Sequence, residues 1–265
     1  MIRKGPRVRI LLLPPANIQL IKYIMANTRA KYFIRWSINK VIPAFLKNFL
    51  FRTIRYALKT KKITFIEHTS EEASMVFDLV GKISEETQFM MDHVEALQLY
   101  LAVRSVGKTE GELAEVGTSR GASAKIICEA KRDRPLHLFD TFEGMPHISA
   151  IDYPFFGDGQ FKANFEEVET FLKDYQNVYF YKGIFPATAE PVKEKKFSFV
   201  HLDVDIYEST VECLKFFYPR MSKGGIIISH DYNAPGVRKA FDNFFADKAE
   251  PIIALPVSQC LLVKV

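Results

Sequence analysis

Phe197-Ser-Phe-Val-His-Leu-Asp-Val-Asp205 and Gly224-Gly-Ile-Ile-Ile-Ser-His-Asp-Tyr232 are two short apolar runs, far apart in the chain, that each stop at acidic residues. A continuous apolar run of this length fits a strand buried on both faces of a parallel sheet. In open α/β sheets, ligands occupy the crevice beyond the carboxyl ends of such strands. Were these strands neighbours, Asp203, His230 and Asp231 would point into one crevice, placed to hold a metal ion, accept a proton, or both.

Around these runs the chain alternates between helix and strand. Helices are expected over 84–103 and 121–131, and strands over 113–117, 136–140, 178–183, 197–203 and 225–229. Residues 141–176 form a long excursion with a helix near 165–174. Ser209-Thr-Val-Glu212 has capping-box spacing and predicts the start of a helix with Val211, Leu214, Phe217 and Tyr218 on one face. Val237, Ala240, Phe241, Phe244 and Phe245 follow the i, i+3, i+4, i+7, i+8 pattern of an amphipathic helix. Two short strands, 251–255 and 260–265, close the chain. This order predicts an α/β fold, a mostly parallel sheet with helices on both faces.

Charge divides the chain. The first acidic residue is Glu67, and 15 of the 36 basic residues precede it, which leaves 21 basic against 31 acidic residues after that point, a net of −10. A basic amphipathic helical extension over 1–66, ahead of a catalytic domain over 67–265, is the expected division. Basic residues interrupt the large apolar ones of 32–58 every three to five positions, so no stretch reaches the roughly 20 residues needed to span a bilayer. The segment can lie on an anionic membrane surface, or pack on the acidic domain or a second subunit, so peripheral attachment and a homo-oligomer both stay open. No nucleic-acid partner is expected, because a phosphate-tracking surface has no need of bulky aliphatics among its cations. Cys128, Cys213 and Cys260 are odd in number and show no metal-binding spacing. They fit a reducing compartment and a cytoplasmic location, with the inner membrane face as the peripheral variant.

Two further motifs carry chemistry. Glu115-Val-Gly-Thr-Ser-Arg-Gly121 places an acid and two glycines at a strand–helix turn. Its glycines allow close backbone approach, and the helix N-terminus offers free N–H groups to a carboxylate or phosphate. The spacing is neither the dinucleotide fingerprint nor a phosphate-gripping loop. Asp140 ends the second strand about twenty residues later, where an acid can accept both hydroxyls of a ribose. A glycine turn without pyrophosphate chemistry, followed by a ribose acid, suggests S-adenosylmethionine. Glu115 and the helix N-terminus would partner its charged amino-acid end.

With these motifs in order, the chain resembles the macrocin O-methyltransferase family, a branch of the class I S-adenosylmethionine-dependent methyltransferases. The resemblance spans about residues 84–250. It rests on 113–121, Phe139-Asp-Thr-Phe-Glu-Gly-Met-Pro146, Lys182-Gly-Ile-Phe-Pro186, His201-Leu-Asp-Val-Asp-Ile-Tyr-Glu-Ser-Thr210, 224–232 and Gly236-Val-Arg-Lys-Ala-Phe-Asp242. It implies a Rossmann-like seven-stranded sheet, methyl transfer to a hydroxyl, often of a sugar, and a divalent metal, usually magnesium. It places the cofactor on Glu115, Gly117, Thr118, Ser119, Gly121, Asp140 and Gly183. It makes Asp203 a metal ligand and candidate base, with His230 and Asp231 as further ligands. His230 stands where many members carry aspartate. Imidazole suits manganese, iron or zinc better than magnesium, so His230 can alternatively act as the base.

The expected acceptor is a hydroxyl of a sugar, glycolipid or secondary metabolite. His147 and Asp152, in the excursion, are candidate substrate contacts, and the aromatic run Ile151-Asp-Tyr-Pro-Phe-Phe-Gly157 suits a lid. His201 reads as a buried strand residue, and Asp205 as a cap for the following turn. Two alternatives stay open: a catalytically silent cofactor-binding protein recruited through its N-terminus, and a metal-independent N-methyltransferase.

Overall fold

The two apolar runs that end in acid lie side by side near the centre of one sheet. The computed structural model describes residues 70–265. Its strands are β1 (Glu112–Val116), β2 (Leu136–Asp140), β3 (Val178–Lys182), β4 (Phe197–Leu202), β5 (Met221–Ser229), β6 (Ile253–Ala254) and β7 (Cys260–Val263). They form a seven-stranded sheet in the order β3-β2-β1-β4-β5-β7-β6. The first five of these are mutually parallel, β7 runs antiparallel to β5, and the edge strand β6 runs antiparallel to β7. The order reverses between β1 and β4, which opens a crevice at their carboxyl ends.

Among the described residues six α-helices flank the sheet: α1 (Glu71–Glu86), α2 (His93–Ser105), α3 (Ala122–Lys131), α4 (Phe165–Leu172), α5 (Tyr207–Phe217) and α6 (Pro235–Phe245). Alternation along each strand divides its side chains between two cores. Leu113, Phe199 and Ile228 pack with α1, α2 and α3, while Ala114, Val200 and Ile227 pack with α5 and α6. Both faces of the central strands are covered, so their residues are mostly apolar and even Glu115, Ser198 and His201 are buried.

Two local expectations are corrected. The helix expected over 84–103 is two helices. Thr87 leaves the helical conformation, and Asp92 starts α2 with a capping box in which Glu95 returns to the Asp92 amide. The linker keeps Phe89 and Met91 packed on the core, so its composition gives no sign of the break. The capping box expected at Ser209–Glu212 is absent, because α5 has already begun at Tyr207 and the N-cap Ile206 offers no side-chain bond. The cap comes from the excursion instead: the Tyr207 amide donates to Asp152 Oδ1 at 2.8 Å. The buried stripe of α5 is accordingly Thr210, Cys213, Leu214 and Phe217, with Val211 and Tyr218 at its edge. The stripe expected on α6 is present, with Phe244 half-buried.

All three cysteines are buried and free. The basic extension expected over 1–66 lies outside the described residues. Among the described residues no helix is long and apolar enough to cross a membrane.

Candidate active site

The turn after β1 forms one wall of a cavity of about 440 Å³. The Gly117 amide donates to Phe139 O at 2.9 Å, and its φ of +92° favours glycine. A Cβ at Gly117 would lie 1.8 Å from the Asp203 carbonyl oxygen, so the glycine permits the turn to abut the end of β4. Gly121, at φ +80°, is the N-cap of α3 and supplies no side-chain bond to it. The first N–H groups of α3 are thus left for an anionic group, and Ala122 and Ser123 line the cavity beside them.

Asp140 braces this turn from β2. Its Oδ2 accepts from the Ser119 amide at 2.7 Å and its Oδ1 from the Phe142 amide at 2.6 Å. A carboxylate offers about four lone-pair positions, so about two remain for ligand hydroxyls. Burial pushes the Asp140 carboxyl above its ordinary range, against the pull of the two amides. The Gly183 amide donates to Asp140 O at 2.9 Å, and Gly183 lines the cavity with φ +137°.

Opposite the glycine turn, the ends of β4 and β5 bring Asp203, His230 and Asp231 together. His230 Nδ1 lies 3.2 Å from Asp203 Oδ1 and 2.5 Å from Asp231 Oδ2. Burial would strip the imidazole of its proton, but Asp203 by charge, with hydrogen bonds to Asp203, Asp231 and Glu95, raises its pKa far above the usual value. Burial likewise works to raise Asp203, and His230 outweighs it and holds that carboxyl low. Asp205 lines the cavity rather than capping a turn. Burial first, then the charges of Asp203 and Asp231, push its carboxyl well above the ordinary range. Asp205 and Asp231 both sit at positive φ, at +61° and +54°. For non-glycine residues this costs about 1–2 kcal/mol each.

Three ligand atoms, one each from Asp203, His230 and Asp231, lie within 4.8 Å of one another. Ligands at adjacent corners around an ion at about 2.1 Å sit roughly 3 Å apart, so the donor spacing fits a six-coordinate divalent cation. One nitrogen with two carboxylates is a donor set suited to manganese or iron as well as magnesium.

The other expected residues are distributed unevenly. Gly117, Thr118 and Ser119 line the cavity, and Gly121 shapes its turn. Thr118 Oγ1 is buried without a partner among the described residues, as a hydroxyl reserved for a ligand would be. Glu115 does not line the cavity. By the alternation of β1 it shares the face of Leu113, and its fully buried Oε1 pairs with His201 Nδ1 at 2.8 Å. Asp152 does not reach the cavity either: besides capping α5, its Oδ2 accepts from Ser149 N and Oγ at 2.9 and 2.8 Å. The His147 side chain is 84% exposed and also stands outside the cavity.

Two contributors, Glu95 and Asp205, went unanticipated. Glu95, on α2, reaches His230 Nε2 at 3.3 Å. Burial works to raise its carboxyl, but bonds to His230, Ser258 and the Asp92 amide hold it at about 2. Asp205 enters the cluster, and Tyr153, Phe155 and Phe156 of the excursion line the cavity, with Phe155 and Ile184 exposed. The aromatic run is the one the sequence singles out, Asp205 reads there as a turn cap, and Glu95 carries no sign of the site.

The Macrocin-O-methyltransferase (TylF) family model matches residues 90–259. The chain is 31% identical over 153 residues to the 8-demethyl-8-(2,3-dimethoxy-alpha-L-rhamnosyl)-tetracenomycin-C 4'-O-methyltransferase of Streptomyces olivaceus, covering 51% of this chain and 58% of that one. It is 30% identical over 152 residues to the mycinamicin III 3''-O-methyltransferase of Micromonospora griseorubida, covering 51% and 60%. The chain thus spans under two thirds of the length of these relatives. Among solved structures, the O-methyltransferase NovP superposes with a TM-score of 0.61 at 23% identity, covering 73% of this chain and 99% of that one. The calicheamicin methyltransferase CalS11 gives 0.58 at 18% identity, covering 74% and 94%. At these identities the structural likeness concerns the fold. By the family match over residues 90–259, the chain belongs to the macrocin O-methyltransferase family.

Proposed function

We propose that residues 67–265 form an S-adenosylmethionine-dependent O-methyltransferase, acting with a divalent ion, magnesium or manganese, on a hydroxyl of a sugar borne by a secondary metabolite or lipid. The observation that carries this reading is the meeting of the Asp203–His230–Asp231 cluster with the glycine turn and Asp140 in one cavity. The saccharide part rests on the Streptomyces olivaceus relative, which is named for a rhamnosyl-bearing substrate.

S-adenosylmethionine supplies a methyl group already activated on a positive sulfur. Gly117, Thr118, Ser119 and Gly121 would hold its amino-acid end, and Asp140 and Gly183 its ribose. The protein's main task is then to align and deprotonate the acceptor oxygen. A divalent ion held by Asp203, His230 and Asp231 would acidify the acceptor hydroxyl as a Lewis acid. Asp203, as a carboxylate beside the acceptor oxygen, would take the proton as the O–C bond forms and the C–S bond breaks. Tyr153, Phe155 and Phe156 offer rings to pack on the acceptor and exclude water.

The direct pairing of His230 with Asp203 and Asp231 favours a second reading, in which the imidazole itself balances the carboxylates and the acceptor is an amine needing no metal. Calorimetric titration with S-adenosylhomocysteine, followed by methyl transfer to a panel of glycosylated acceptors with and without chelator, tests both. Binding together with chelator-sensitive transfer to a hydroxyl supports the first. Chelator-insensitive transfer to an amine supports the second, and a folded protein that does not bind S-adenosylhomocysteine refutes both. For location, we infer a cytoplasmic protein whose segment 1–66 meets anionic lipid. Liposomes of anionic lipid that fail to float the full chain would refute that.

A further inference from the structure

The imidazole of His230 has two nitrogens, and a ring flip would exchange the one that meets Asp203 and Asp231. The Glu95 carboxylate, only 2% exposed, stands behind the ring with Oε2 3.3 Å from Nε2. It is held from two other sides. The Asp92 amide donates to Oε2 at 2.9 Å, and Ser258 donates to Oε1 through its amide at 2.9 Å and its hydroxyl at 2.5 Å. The capping box of α2 explains the Asp92 bond but not the other three, which join α2 to the end of β5 and to the turn between β6 and β7. A buried carboxylate fixed at both oxygens has little freedom to follow the ring, so the ring must orient to it. A histidine that ligates through one nitrogen commonly donates its other N–H to such a partner, which sets tautomer and direction.

We propose that Glu95 is a positioning residue that locks His230 with Nε2–H inward and Nδ1 toward Asp203 and Asp231, so that Nδ1 is the nitrogen donor of the divalent-ion site. This deepens the metal-assisted reading above and rests on it. Because the lock fixes a nitrogen in the donor set, it biases the site toward ions that accept imidazole over magnesium.

Zinc serves as a diamagnetic probe. Full-length protein labelled with 15N in its histidines is examined by two-bond proton–nitrogen correlation, and His230 is assigned from its loss in His230→Asp. The expected result is Nδ1 ligation with the proton on Nε2. Ligation through Nε2 overturns the proposal without any variant at Glu95. In parallel, manganese is titrated calorimetrically into wild type and Glu95→Gln, each also titrated with S-adenosylhomocysteine. The expected loss of manganese affinity in Glu95→Gln is about 10–100-fold, with S-adenosylhomocysteine binding unchanged. Unchanged manganese affinity overturns the proposal, and should the variant not fold, the wild-type spectra decide. If wild type binds neither zinc nor manganese, the metal-assisted reading and this proposal fall together. If it binds metal but not S-adenosylhomocysteine, the transferase reading alone falls.

Discussion

Replacing Gly117 with alanine tests whether the glycine turn and the catalytic strand end are one mechanical unit. The added Cβ would meet the Asp203 carbonyl oxygen at 1.8 Å and its carbonyl carbon at 2.6 Å. Tolerable contacts begin near 3.0 Å, so the backbone at Asp203 must retreat by roughly 1.2 Å. It cannot retreat freely, because the Asp203 amide is bonded to Val116 O at 2.9 Å and the Gly117 amide to Phe139 O at 2.9 Å. Alanine at φ +92° adds about 1–2 kcal/mol of backbone strain, and the overpacking about 1–3 kcal/mol. The expected destabilisation is thus about 2–5 kcal/mol, read by urea denaturation. A displacement near 1 Å of the candidate base can lower turnover about 100-fold in the fraction that stays folded. Gly157→Ala is the control, since nothing lies within 4 Å of its Cβ and its φ is ordinary. If Gly117→Ala matched that control in stability and in S-adenosylhomocysteine affinity, the coupling of turn to base would be refuted.

Asp205→Asn is expected to raise Tm at pH 7, because the carboxyl is raised by burial and by Asp203 and Asp231. Folding favours its protonated form, so the cost appears as pH rises past 3.8 and is absent well below it; a variant that melts lower than wild type at pH 7 contradicts this. Metal loading is expected to strengthen about tenfold per pH unit between about pH 6 and 8, since His230 starts protonated and must lose that proton to ligate. Titrations at three pH values that give one affinity would exclude nitrogen ligation. Asp152→Ala removes the long-range cap of α5 and is expected to cost about 1 kcal/mol. It also frees the aromatic excursion, so acceptor KM should rise while S-adenosylhomocysteine binding holds, and an unchanged KM would show that the excursion is positioned by other contacts.

What the sequence disclosed depended on how local the cause was. β2 and β4 announce themselves because burial on two faces keeps them mostly apolar, and the acids at their ends mark where the sheet stops. The glycines at 117 and 121 were legible as a close approach, although only the structure identifies the approaching groups, the Asp203 backbone at Gly117 and the Val168 and Phe171 side chains at Gly121. The capping box at 209–212 failed because a local preference yielded to a tertiary bond from Asp152, 55 residues away. Glu115 turned inward because strand alternation outranks the attraction of an acid for a ligand charge. Glu95 was invisible as a site residue: its spacing from Asp92 spells a helix cap, and nothing local records that His230 lies 135 positions later against the same carboxylate.

The placement of strain and charge argues for cationic ligands independently of any motif. Of the eight non-glycine residues at positive φ among the described residues, Ser119, Phe161, Asp205 and Asp231 line the cavity. Asp203, Asp205 and Asp231 crowd beside them, with His230 as the compensating cation, and the misfit is registered in the raised Asp205 carboxyl. A fold shaped for stability alone would place apolar residues there, as at Leu202 one residue earlier on β4. Such conflicts persist where a bound state relieves them. A sulfonium cofactor brings one positive charge and a divalent ion two, so the excess acid that destabilises the free site is the complement of what the site is proposed to hold.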